Sequence, residues 1–189
     1  MSFLIEYIKH PRTIGAVAPS GNHLAEKMIE PIDFKSAEVI VEYGSGTGSF
    51  TKELVVHRKP ETVLILIEQN KNFCHELKKT FCNQPNIHVI NGSAENVNLY
   101  LKKCGFKHAD YIVSGLPFTS LPAEVSENIL ESTRKAIGSK GRFITFQYSL
   151  VKRKFFERYF HVSGLLHEFI NLPPAYVLVM RNIRESEIK

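Results

Sequence analysis

Tryptophan is missing from the 189 residues, and cysteine occurs only three times. Cys74, Cys82 and Cys104 are odd in number and contain no CxxC pair, which excludes a disulfide framework and a zinc-binding spacing. They read as free, mostly buried thiols. The eight histidines include no HxxxH or HxH pair, so no metal is expected. Long hydrophobic runs are lacking too. The longest aliphatic run near the centre, Val63 to Ile67, falls far short of the roughly 18 apolar residues of a spanning helix. The N-terminus shows neither the long apolar region nor the small-residue cleavage site of a signal peptide, which predicts an intracellular, cytoplasmic protein. No linker, internal repeat or low-complexity segment interrupts the chain. With 43% hydrophobic residues, one domain over residues 1–189 with a sizeable core is expected.

Among the features present, charge comes first. A net charge of +5 favours an anionic partner, either nucleic acid or an acidic membrane surface, and does not choose between them. Short β-branched runs at Val39–Val41, Val63–Ile67, Ile87–Ile90, Tyr111–Val113 and Arg142–Phe146 alternate with helical periodicity at Phe50–Val56, Phe73–Phe81, Val97–Leu101 and Val125–Ile137. Such alternation predicts an α/β fold, a doubly wound parallel sheet with helices on both faces. Beyond Phe146 the spacing predicts a helix over Leu150–Tyr159. Two further strands, over Leu165–Asn171 and "PPAYVLVM", are expected to close one edge.

In a doubly wound sheet the first strand–turn–helix is the usual ligand site. Here it reads "VEYGSGTGSFT", with Gly44, Gly46 and Gly48 between a strand and a helix. Glycines at these positions permit positive φ and let a ligand lie against the main chain. The spacing GxGxG does not meet the GxGxxG dinucleotide fingerprint and lacks a Walker A lysine. The same triplet also occurs in ordinary tight turns. A second feature bears on the choice: the next strand ends "LILIEQN", placing Glu68 twenty residues after Gly48, where a carboxylate can accept hydrogen bonds from both hydroxyls of a ribose.

Together these segments resemble motifs I and II of class I S-adenosylmethionine-dependent methyltransferases. The resemblance implies a Rossmann-like sheet of seven strands with the last antiparallel. It also implies S-adenosylmethionine as cofactor, with Gly44, Ser45, Gly46 and Gly48 lining the methionine part, Glu42 nearby, and Glu68 with Gln69 at the ribose. "NGSAEN" would meet the adenine around Ser93 and Ala94, Ser93 standing where many relatives have Asp, and Ser114 closes the set of cofactor contacts.

The fourth strand leads into "SGLPFTSLP". In amino-group methyltransferases of nucleic-acid bases this place carries an Asn/Asp/Ser-x-Pro-aromatic tetrapeptide. Its polar residue accepts from the target amine and its aromatic stacks on the flipped base. Aligned on Pro117 and Phe118, the polar position falls on Gly115. The ribosomal RNA adenine dimethylases are thus matched in outline and broken at the acceptor residue.

"FLIEYIKHPRTIGAVAPSGNHLAEKM", "SGLP" and "NLPPAYV" together resemble the small bacterial phospholipid N-methyltransferases, which methylate phosphatidylethanolamine. That resemblance implies an amphipathic membrane helix and a cofactor-covering segment within residues 1–22. Phe3, Leu4, Tyr7 and Ile8 share a helical face beside Lys9, His10 and Arg12, which suits either an anionic membrane interface or packing on the core. "VKRKFFERYF" suits lipid or RNA phosphates, or a helix with aromatics inward and charges solvated. Leu116, Pro117 and Phe118 are the expected acceptor contacts, with Phe118 either facing an alkylated ammonium or, as an aromatic after a strand often does, simply packing. Tyr7, His10 and Tyr176 are the candidate catalytic groups. The leading expectation is a peripherally membrane-associated phospholipid N-methyltransferase. The alternatives are an RNA adenine N6-methyltransferase and a cofactor-binding adaptor without turnover.

Overall fold

The computed structural model describes residues 19–170 and 173–183. Its first helix, α1 (Pro19–Ile29), precedes the alternating part of the chain. Then come β1 (Val39–Tyr43), α2 (Ser49–His57), β2 (Val63–Glu68), α3 (Lys71–Thr80), β3 (Ile87–Asn91), α4 (Val97–Lys103), β4 (Tyr111–Ser114), α5 (Ala123–Ala136) and β5 (Arg142–Gln147). Each of the five strands covers its expected run and continues one or two residues further. The added residues include Glu68, Asn91, Ser114 and Gln147, polar groups that no hydrophobic period would have claimed.

The sheet has seven strands in the order β3-β2-β1-β4-β5-β7-β6, where β6 is Phe160–Glu168 and β7 is Ala175–Asn182. β1 to β5 pair in parallel. β7 lies antiparallel between β5 and β6, in agreement with the fold resemblance. Order reverses between β1 and β4, so the switch point lies at their carboxyl ends.

Alternate strand residues feed two cores, as a period of two requires. Val41, Tyr43, Ile67, Ile112 and Phe143 pack with Val97 and Leu101 of α4 and Ile129 and Leu130 of α5. Ile40, Leu64, Leu66, Val113 and Ile144 pack with Leu24 and Met28 of α1, Leu54 of α2 and Leu77 of α3. The α3 start is set by Asn70, whose side chain accepts from the amides of Asn72 and Phe73, satisfying two of the orphan donors at a helix end.

Two boundaries differ from the sequence expectation. The helix expected over Leu150–Tyr159 divides into a 3₁₀ turn, Leu150–Lys152, and the short α6, Arg153–Glu157. β6 starts at Phe160, before the expected Leu165. A bulge interrupts its pairing between Val162 and Gly164, and the extra residue, Ser163, donates its hydroxyl to the Val179 carbonyl at 3.1 Å. One inserted residue breaks the alternation that would have marked the strand. The thiols also differ: Cys74 is buried, Cys104 half-buried and Cys82 exposed.

The start of β1 is held from the strand beside it. Asp110 Oδ2, just before β4, accepts from the amides of Glu38 at 2.8 Å and Val39 at 2.9 Å. Asp110→Ala strips both amides of their acceptor and is expected to cost about 1–3 kcal/mol. Urea unfolding should show a lower midpoint at unchanged slope; an unchanged midpoint would refute the tie.

Candidate active site

The carboxyl ends of β1 and β4 bring two loops into contact. Gly44, Gly46 and Gly48 all have positive φ, 65°, 52° and 85°, and at Gly44 a Cβ would stand 2.8 Å from Leu116 Cδ2. At Gly46 a Cβ would meet only the Gly44 carbonyl, at 3.9 Å. Gly46 therefore faces open space, and its main chain is accessible to a ligand. Gly115, across the switch point, donates its amide to the Tyr43 carbonyl at 2.9 Å. A Cβ there would lie 3.2 Å from the Gly44 carbonyl oxygen and 3.4 Å from the Phe50 ring.

Two carboxylates flank the turn in unlike environments. Glu42 is buried; its Oε2 accepts from Thr51 Oγ1 at 2.7 Å. Its Oε1, like the buried Ser45 Oγ, has no hydrogen-bond partner among the described residues. Burial pushes the Glu42 carboxyl up to about 8, against the pull of the Thr51 hydroxyl, with a smaller push from the Glu68 charge and a lesser pull from the Ser45 hydroxyl beside it. Glu68 is buried too, but both its oxygens are occupied: Oε2 accepts from the Gly46 amide at 2.9 Å and Oε1 from the Asn70 amide at 2.8 Å. The end of β2 thus holds the glycine turn in shape. Asn91 supports the same corner, donating Nδ2 to the carbonyls of Glu68 at 3.0 Å and Gln69 at 2.8 Å.

Ser93 caps the 3₁₀ turn Ala94–Asn96, accepting from the Glu95 amide and donating to its carboxylate. The Ala94 side chain belongs to the core, leaving its main chain for any ligand contact. Gln69 is exposed. Ser114 is buried, and its Oγ accepts from the Leu116 amide at 3.2 Å. Leu116 and Pro117 are half-buried beside the glycine turn. Phe118 corrects the sequence expectation. It is fully buried, its ring edge-on to Phe156 at 5.2 Å and to Phe143 at 6.2 Å. The turn after Pro117 sends the ring inward, so it cannot face an ammonium or a flipped base.

Tyr7 and His10 lie outside the described residues. Tyr176 is at the same edge as the glycine turn, because β7 runs antiparallel and its first residues pair with the end of β5, Tyr176 opposite Gln147. Three strand spacings separate it from β1, about 14 Å along the sheet. Its ring stacks on His167 at 4.3 Å. His167, Thr51 and Asn91 carry no motif spacing and are not legible as site residues in the sequence. A cavity of about 380 Å³ bordered by Leu77, Phe81, Cys82, His88 and Cys104 opens beside the edge strand β3 and shares no residue with the turn.

The raised carboxyl of Glu42 has a measurable effect. Between its ordinary value of 4.5 and about 8 the folded protein holds a proton that the unfolded chain has released. The stability linked to that proton is full below 4.5 and is lost as pH rises through about 8. Unfolding free energy of the ligand-free protein should fall with a limiting slope of about 1.4 kcal/mol per pH unit in that window, and Glu42→Gln should flatten the profile. Identical profiles for the two proteins, from denaturant titrations across the window, would refute the assignment.

Known proteins resemble this chain in sequence and in fold. A family model described as ribosomal RNA adenine dimethylase matches residues 21–164. The ornithine lipid N-methyltransferase of Singulisphaera acidiphila is 32% identical over 186 residues, 97% of this chain and 96% of that protein. Ribosomal RNA small subunit methyltransferase A of Sulfurihydrogenibium sp. is 30% identical over 93 residues, and the match spans 49% of this chain and 35% of that protein. Among solved structures, the N-methyltransferase NodS of Bradyrhizobium japonicum WM9 in complex with S-adenosyl-L-homocysteine superposes with a TM-score of 0.69 at 11% identity, over 89% of this chain and 90% of that one. The PH0226 protein of Pyrococcus horikoshii OT3 gives 0.70 at 13%, over 94% and 99%. These two share the fold. The match over residues 21–164 makes this chain a member of the ribosomal RNA adenine dimethylase family, and its activity is S-adenosylmethionine-dependent N-methyl transfer.

Proposed function

We propose that the acceptor is the primary amine of a lipid head group at a membrane surface, with phosphatidylethanolamine the first candidate and an ornithine lipid the second. The observation that carries this reading is the state of the base-methylase tetrapeptide. Its polar position is Gly115, which has no side chain, and a Cβ there would lie a tight 3.2 Å from the Gly44 carbonyl oxygen. Its aromatic, Phe118, is inside the core. Neither the polarising acceptor nor the base-stacking ring is available for a nucleobase. The relative that aligns over 96% of its own length is named for an ornithine lipid, whereas the matched part covers 35% of the ribosomal RNA enzyme from Sulfurihydrogenibium. RNA adenine N6-methylation is the second reading, favoured by the family model itself.

The residues fit S-adenosylmethionine. The main chain of Gly44 to Gly48 would line its methionine part, where the unpaired Glu42 Oε1 and Ser45 Oγ answer an ammonium and a carboxylate. Glu68 would share its carboxylate between the turn and the ribose, with Gln69 beside it and the main chain at Ser93 and Ala94 on the adenine. Ser114 would serve from beneath, holding the loop that carries Leu116 and Pro117 toward the acceptor. The cofactor supplies an electrophilic methyl group, so the chain's work is alignment and exclusion of water. An alkylamine with a pKa near 10 must lose its proton before it can attack. Tyr176, stacked on His167, is the described candidate to orient that amine or pass its proton on, and Tyr7 and His10 are the others.

Glu68→Ala should weaken cofactor binding about 5- to 150-fold, from loss of a charged hydrogen bond worth roughly 1–3 kcal/mol. Gly46→Ala should weaken it through a methyl placed in the open space and a strained φ. Calorimetric affinities unchanged in both folded variants would dispose of the site. For the acceptor, labelled S-adenosylmethionine is incubated with vesicles of phosphatidylethanolamine, vesicles of ornithine lipid and total RNA separately. Label is expected in a lipid arm, and label confined to RNA would overturn the lipid reading.

A further inference from the structure

The edge at which the strands end also carries apolar side chains that no core claims. Val151 is 84% exposed, Phe169 72% and Ile170 65%. Val151 lies in the 3₁₀ turn after β5, and Phe169 and Ile170 come immediately after β6. Gln147 pairs with Tyr176 and Tyr176 with His167 on consecutive strands. The exits of β5 and β6 are therefore about 10 Å apart on one rim. The hairpin end is built rather than loose: the Ile170 amide donates to Glu168 Oε1 at 2.8 Å, and the Phe169 ring lies 3.8 Å from that of His167.

Charge accompanies the apolar rim. Lys152, Arg153 and Lys154 come directly after Val151. Lys154 is exposed, Lys152 lies over the Phe155 ring at 5.0 Å, and Arg153 pairs with Glu157 at 2.8 Å. The acidic groups nearby are Glu157, already paired, and Glu168, which is buried. Two aliphatic side chains and one ring turned outward beside lysines suit a hydrocarbon–head-group boundary. No helix among the described residues is long and apolar enough to cross a membrane, so contact through this rim would be peripheral.

We propose that this rim seats on an anionic bilayer, Val151, Phe169 and Ile170 entering the interface and Lys152 and Lys154 meeting head-group phosphates. The carboxyl ends of the parallel strands, and the glycine turn with them, then face the lipid. This placement rests on the lipid-amine reading and adds to it the face that approaches the membrane. It involves none of the residues of the N-terminal segment.

The test is vesicle sedimentation of the full chain with phosphatidylethanolamine–phosphatidylglycerol vesicles and with phosphatidylcholine vesicles. Val151→Glu/Ile170→Glu should lower partition to the anionic vesicles on the order of tenfold or more. Lys152→Glu/Lys154→Glu should abolish the preference for anionic vesicles and its weakening by salt. Melting temperature and cofactor affinity should be unchanged in both. Phe169→Ser, which alters no charge, serves as companion if the double glutamate variant unfolds. Unchanged partition in these variants, or lower melting temperature with unchanged partition, would overturn the rim, the latter meaning that the chain itself covers it. Vesicle lipid methylated by the unmodified protein alongside unchanged partition would remove the rim and leave the lipid-amine reading standing. Label reaching RNA alone would remove both.

Discussion

Two main chains touch where β1 and β4 end, and the rest of the site is arranged around that contact. The Gly115 amide bonds to the Tyr43 carbonyl, and a Cβ at 115 would lie a tight 3.2 Å from the Gly44 carbonyl oxygen. Leu116 is pressed against Gly44 from the other side. With both loops fixed at their first residue, the next few residues have little freedom. Pro117 turns the chain, and Phe118 fills the core between Phe143 and Phe156. A crowded backbone at 115 and an inward ring at 118 thus stand side by side in one loop.

The same corner sorts two similar carboxylates into different states. Glu68 gains two amide donors at the strand end, one for each carboxylate oxygen. Glu42, one strand over, has a single hydroxyl for two oxygens and keeps its proton further up the pH scale. A buried group left half-satisfied costs stability in the free protein.

Much of this architecture is legible in the sequence, because the interior parallel strands, buried on both faces, read as largely apolar runs, and the half-exposed edge strand β3 still carries Ile87, Val89 and Ile90. Their ends are not, since Glu68, Asn91, Ser114 and Gln147 break the apolar pattern at the very edge where ligands bind. α1 is not among the helices expected from the sequence, although Leu24, Ala25, Met28 and Ile29, all buried, follow a helical period. The glycine turn and Glu68 are visible as motif residues, but the bond between Glu68 and the Gly46 amide is not, because spacing places residues without saying what they hold. Phe118 misleads for the same reason: a motif position does not fix a rotamer.

The bulge at Ser163 matters beyond the boundary it hides. β6 is an outermost strand of the sheet, and an outermost strand offers unpaired amides and carbonyls as a template for another chain. The irregularity divides its regular stretch into Phe160–Val162 and Gly164–Glu168, and the added twist keeps a straight incoming strand from matching both pieces. Edge-to-edge polymerisation of copies of this chain through the outer strand is opposed by this kink.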